Sequence, residues 1–178
     1  MPIFQFTGLS GAGKTTLALK VAELCTQQNI PIEVIDGDVY RKTICKDLGF
    51  SKEDRQENIR RLGAAAHAFS LQNKIVIIAA INPFENIRQE LQKQYGALTI
   101  WIQCNIETLT QRDTKGLYKR AMLPDGHPDK VLHFTGISDL YEEPLEPAMI
   151  IHSDHEPVEI SARKMYTFII QNLNTVPS

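Results

Sequence analysis

The sequence predicts an α/β domain: a doubly wound, largely parallel five-stranded sheet with helices on both faces and a mobile lid segment. Three observations predict it. Apolar runs of strand length alternate with amphipathic helical stretches. One run, Ile75 to Ile81, is almost wholly apolar and β-branched, as a strand covered on both faces requires. A stretch from about Thr114 to Glu146 breaks the alternation with Gly, Pro, Lys and Asp, the composition of a long functional loop.

In chain order, Ile3 to Thr7 is a short apolar run that ends in a Gly-rich turn, a buried strand. Lys14 to Gln28 places Leu17, Val21 and Leu24 at helical spacing. Pro31 breaks that helix, and Ile32 to Ile35 forms a second strand. Ser51 begins another helix, with Glu53 and Asp54 in the first turn, where the helix dipole favours acids. Ile75 to Ile81 is the third strand and Thr99 to Cys104 the fourth, followed by a helix through Arg112. Met149 to His152 is a short fifth strand, and Val158 to Leu173 a closing amphipathic helix.

The 178 residues suit one domain spanning 1–178, with the lid at about 114–146. A formal charge of −2, from 19 basic and 21 acidic side chains, gives no basic footprint for bulk nucleic-acid binding. No apolar run reaches the ~18 residues of a membrane span. The start of the chain has no basic segment leading into an apolar one, which argues against a signal peptide. Cys25, Cys45 and Cys104 form no metal or redox pattern and read as free thiols in a reducing cytoplasm.

The chemistry begins at Gly8-Leu9-Ser10-Gly11-Ala12-Gly13-Lys14-Thr15, a full match to GxxxxGK followed by Ser or Thr. It follows a strand and opens a helix, which is the context a phosphate-binding loop (P-loop) needs. Glycines let backbone N–H groups turn inward, and the helix N-terminus adds positive potential. Lys14 supplies a charge for the β- and γ-phosphates of ATP, and the Thr15 hydroxyl can ligate Mg²⁺. The nucleotide-binding set is Gly8, Ser10, Gly11, Ala12, Gly13, Lys14, Thr15 and Thr16. No NKxD guanine motif is present, and no acid ends the run at Ile81, so a kinase fits better than a GTPase or a Walker-B ATPase. Asp36-Gly37-Asp38 reads alone as a turn. One strand from a P-loop, it reads as a carboxylate pair, with Asp36 holding Mg²⁺ through water and Asp38 facing an attacking hydroxyl. Arg55, Arg60 and Arg61 suit either an anion site or a solvated helix face, and Phe50 and Phe134 either a base platform or a core. The five histidines show no ligand spacing.

Several ordered motifs make the chain similar to the adenosine 5'-phosphosulfate (APS) kinase family. Phe6 to Lys14 resembles the opening motif, Asp36-Gly37-Asp38 is followed by Arg41, and Asp47-Leu48-Gly49-Phe50-Ser51 comes next. Glu53 to Arg61 resembles the substrate-binding helix, while Lys115-Gly116-Leu117-Tyr118-Lys119 and Phe134-Thr135-Gly136-Ile137 resemble two lid motifs. The resemblance implies ATP and Mg²⁺ as cofactors and APS as the small-molecule partner. Lys14, Asp38 and Lys115 become the catalytic group, and Arg112 lies against the ATP base. Arg41, Arg55 and Asn58 hold the acceptor's phosphosulfate and ribose, Phe50 and Phe134 sandwich its adenine, and Ile81 and Asn82 complete the acceptor wall.

Four positions depart from that pattern. Asn82 stands where the family has a phosphate-accepting serine, so transfer is expected to be direct. Glu85 stands where arginine is usual, reversing a charge toward the acceptor side. Met122 to His133 is longer than the usual link, and Ser138 replaces a common acid. Two alternatives therefore stay open: a 3'-hydroxyl kinase for another nucleotide 5'-anhydride, such as cytidine diphosphoramidate, and a catalytically weak regulatory nucleotide binder. A homodimer is one assembly left open.

Overall fold

A computed structural model describes residues 1–113 and 115–173. Its twelve elements, in order, are β1 (Ile3–Thr7), α1 (Lys14–Gln27), β2 (Ile32–Asp36), α2 (Gly37–Tyr40), α3 (Lys52–Ser70) and β3 (Ile75–Ala79). Then come α4 (Glu85–Tyr95), β4 (Leu98–Gln103), α5 (Ile106–Arg112), α6 (Leu117–Ala121), β5 (Met149–His152) and α7 (Val158–Leu173). The sheet is parallel throughout, in the order β2-β3-β1-β4-β5.

Alternation along β1 sorts the two cores. Phe4 and Phe6, with Ile77 and Ile100 of the neighbouring strands, bury against Val21 and Cys25 of α1 and Met165 and Ile169 of α7. On the opposite face, Ile3, Ile35 and Ile78 pack against Ile59 and Leu62 of α3 and Ile87 and Leu91 of α4. Strand β1 pairs with β3 on one side and β4 on the other, so the strand order reverses there. A crevice at the carboxyl end of such a switch point is where open α/β sheets bind ligands. The P-loop leaves β1 at that point.

Beyond shifts of one residue at element ends, three features differ from the sequence reading. Strand β3 stops at Ala79, short of Ile81. The Ile81 carbonyl accepts instead from the Gly8 amide and the Thr7 hydroxyl, and Asn82 turns the chain with φ of 45°. Helix α4 went unread because one apolar stripe, Ile87 and Leu91, sits among polar residues. The lid stretch, whose first residue Thr114 lies outside the described residues, contains the short helix α6, and its Tyr118, Ala121 and Phe134 join the first core.

Candidate active site

The donor loop is shaped by glycine where nothing else fits. At Gly8, with φ of +150°, a Cβ would stand 2.4 Å from the Ile102 carbonyl oxygen. Gly13 enters α1 in the left-handed region, and no side chain caps the helix. Its first N–H groups therefore face the crevice, a ready-made anion site. Lys14 is nearly buried and its Nζ donates to the Gly8 and Leu9 carbonyls at 2.8 and 2.7 Å. Burial pushes the Lys14 ammonium down to about 8, with Lys115 adding to the effect and Asp38 and Asp36 opposing it.

Thr15 and Asp36 meet directly, Oγ1 donating to Oδ2 at 2.7 Å. The other Asp36 oxygen accepts from the Asp38 and Val39 amides, which fixes its rotamer at the start of α2. A hydroxyl and a carboxylate oxygen held side by side are the hard donors Mg²⁺ takes, either directly or through its waters. Among the described residues, no three His, Cys, Asp or Glu side chains gather into a metal cluster.

Lys115 of the lid reaches Asp38 at 2.7 Å. That hydrogen bond holds the Asp38 carboxyl below the usual range, against its burial, and the charges of Lys115, Lys14 and Arg41 reinforce it. Asp38 is therefore a firm carboxylate at neutral pH, better suited to orienting a hydroxyl than to keeping its proton.

On the β2–α3 side, Arg41 and Arg55 lie over the same Phe50 ring, 4.7 and 5.4 Å from its centroid. Burial, then the neighbouring Arg55 charge, lowers the Arg41 guanidinium. Two cations on one aromatic platform repel one another, and an anion between them relieves that repulsion. Arg55 is held by the Phe50 carbonyl, the His133 carbonyl and the Asp139 carboxylate, so the lid lies across this side. Asn58 is buried one turn further along α3, and its Oδ1 has no partner among the described residues. Phe50 is 55% exposed, whereas Phe134 is buried edge-on to Tyr118 at 4.9 Å. The Tyr118 hydroxyl in turn donates to the Ser10 carbonyl and ties α6 to the P-loop.

Arg112 donates to the Ser153 carbonyl and borders a cavity of about 150 Å³ beside Ala12, Gly13 and Thr16. A larger cavity, about 670 Å³, opens along β4 and β5 and touches the P-loop only through Leu9. Ile81 and Asn82 stand at the end of β3. The Asn82 amide is buried and donates to Gln5, while its Oδ1 has no partner among the described residues. Glu85 does not carry its charge toward the acceptor side: its carboxylate is paired with Arg88 at 2.7 Å. Arg88, Tyr141 and Glu142 escaped the sequence reading. Their partners lie on distant segments and are in part main-chain groups, which leave no spacing pattern.

The family model described as Adenylylsulphate kinase matches residues 2–152. An adenylyl-sulfate kinase of Picosynechococcus is 42% identical over 161 residues, 90% of this chain and 88% of its own. A probable adenylyl-sulfate kinase of Bacillus subtilis is 39% identical, covering 97% of this chain and 86% of its own. Among solved structures, the APS kinase of Mycobacterium tuberculosis in complex with AMPPNP and APS superposes with a TM-score of 0.86 at 29% identity, covering 95% of this chain and 99% of that one.

Proposed function

The chain belongs to the adenylylsulphate kinase family, and from that premise we propose how its residues move the γ-phosphoryl group of ATP onto the 3'-hydroxyl of APS, giving 3'-phosphoadenosine 5'-phosphosulfate and ADP. One observation carries the assignment of residues. Lys14 lies within electrostatic reach of Asp36, Asp38 and Lys115, Asp36 is bonded to Thr15 and Asp38 to Lys115, and Asp38 is in turn near Arg41, which shares the Phe50 ring with Arg55.

The P-loop amides and Lys14 bind the β- and γ-phosphates, and Lys14 gives up its contacts to Gly8 and Leu9 in doing so. Thr15 and Asp36 hold Mg²⁺, which when bound spreads charge away from the transferring phosphoryl group. Arg41, Arg55 and Asn58 take the phosphosulfate and ribose, with Phe50 and Phe134 flanking the adenine. Asp38 orients the 3'-hydroxyl for in-line attack, and Lys115 moves from Asp38 toward the developing charge. Arg112 lies against the ATP base. Asn82 carries no hydroxyl, so no phosphoenzyme forms there. The chain acts as a single kinase domain, with 114–146 closing to exclude water. No helix among the described residues is long and apolar enough to cross a membrane, and we place the protein in the cytoplasm.

Glu85 gives no support to a different acceptor, because its charge is neutralised on Arg88. Purified protein with ATP, Mg²⁺ and a panel of nucleotide acceptors, with products identified by mass, tests the reading. APS should be used in preference to cytidine and guanosine anhydrides. Preferred use of another nucleotide, or ATP hydrolysis without transfer, sinks it.

A further inference from the structure

Arg88 is 1% exposed, yet its guanidinium lacks no partner. Nε donates to Glu85 Oε2 at 2.9 Å. Nη1 donates to the Asn82 carbonyl at 2.7 Å and, at a long 3.5 Å, to Thr7 Oγ1. Nη2 donates to the Glu142 carbonyl at 2.7 Å and meets Glu85 Oε2 at the same distance. The Arg88 carbonyl accepts from Gln5 Nε2, which fixes the helix to β1 as well.

The proton count around Thr7 is consistent. A hydroxyl gives one hydrogen and has two lone pairs. Thr7 Oγ1 lies 3.0 and 2.9 Å from the Ile81 and Asn82 carbonyls, which share its one hydrogen. It then accepts from Arg88 and from the Tyr141 phenol, which is 3.0 Å away. Burial pushes the Tyr141 phenol up, which keeps it a donor. Glu142 closes the loop: its carboxylate accepts from the Glu85 amide at 2.7 Å, and its amide donates to the Pro83 carbonyl at 2.8 Å.

A buried charge is a poor device for stability alone, because an apolar side chain of like volume often serves as well. What distinguishes Arg88 is where its partners lie. Thr7 precedes the first P-loop glycine, Asn82 follows the carbonyl that receives the Gly8 amide, and Glu142 lies on the stretch that returns from the lid toward β5.

We propose that Arg88, neutralised by Glu85, is a positioning residue for phosphoryl transfer. It ties the Ile81–Phe84 turn and the Tyr141–Glu142 strap to the end of β1, so that acceptor wall and lid anchor keep a single geometry beside a donor loop shaped by its own glycines and Lys14. The inference deepens the kinase reading and rests on it.

Arg88→Lys keeps the charge but loses the fork. In folded protein, verified by a cooperative melt, turnover with APS should fall about ten- to hundredfold. ATP affinity without acceptor should stay near wild type, and amide exchange over 134–146 should rise in the ligand-free protein. Tyr141→Phe removes one link and should lower turnover in the same direction by a smaller factor. Unchanged turnover per folded molecule in Arg88→Lys overturns the proposal, as does ATP affinity falling in parallel with turnover. If Arg88→Lys does not fold, Tyr141→Phe decides on the same readouts. Should the wild type phosphorylate no nucleotide acceptor, the kinase reading fails, and the exchange comparison alone decides whether Arg88 holds the strap.

Discussion

At Lys14 the fold has placed a cation where it is uncomfortable until phosphate arrives. Its pKa of about 8 lies below the ordinary 10.5. Between those values the unfolded chain holds a proton that the folded chain does not, so stability of the free protein rises with pH across that window and the gain is lost as pH falls through about 8. Bound phosphates draw the pKa back up. Nucleotide binding near pH 8 should therefore take up about half a proton, measurable as a difference in calorimetric heat between two buffers of unlike ionisation enthalpy. Zero uptake or release counts against Lys14 as a phosphate contact. Arg55 tests the other half of the crevice. Arg55→Ala removes a charge-assisted bond worth roughly 1.5–3 kcal/mol, so acceptor kcat/KM should drop about ten- to hundredfold while ATP affinity holds. Lysine should not rescue it fully, and wild-type values in both assays remove Arg55 from the acceptor site. The P-loop motif could be read because it depends on spacing along the chain. A role for Arg41 and Arg55 could be proposed only through family likeness, since an arginine on a helix looks the same whether it faces water or an anion. Arg88 was not legible at all, because its main-chain partners, the carbonyls of Asn82 and Glu142, lie far apart along the chain and write no motif.

Between elements, the tight point is the crossing of α3 and α4 at Gly63. A methyl group there would lie 2.9 Å from Leu91 Cγ and 3.2 Å from Tyr95 Cε2. Alanine normally gains about 1 kcal/mol over glycine inside a helix. Overpacking costs about 1–3 kcal/mol, so Gly63→Ala should lower stability in a denaturant melt, and a rise would show that α4 yields freely. The start of α3 is the reverse case, one the sequence announced. Ser51 Oγ accepts from the Asp54 amide at 3.1 Å, the cap that Ser followed by acids promises, and its loss to alanine should cost about 1 kcal/mol. Helices α2 and α6, at four and five residues, are too short for periodicity to reveal. They form because Asp36 and Asp113 accept from amides at their first turns. Strand β3 was overread since Ala80 and Ile81 continue the apolar run after the ladder has ended.

For the molecule as a whole, alternation of strands and helices announced a parallel sheet, but not which strands touch, because pairing between distant segments leaves no local trace. The lid is the part whose state should depend on ligand. In the free protein it rests on Arg55 and Asp38 through Asp139 and Lys115. With ADP and APS bound, amide exchange over 115–140 should slow, and equal protection in both states counts against a closing lid. The central place of β1 also bears on how the molecule is made. Its neighbours β3 and β4 occupy 75–79 and 98–103, and α7, which covers α1, occupies 158–173. Until the ribosome has passed residue 79, Phe4 and Phe6 have no strand beside them, and the second helix over them arrives only with 158–173. Such late closure slows folding and leaves sticky surface on the nascent polypeptide. The cell therefore has most need to shield this protein during translation, before it has a crevice able to grip a nucleotide.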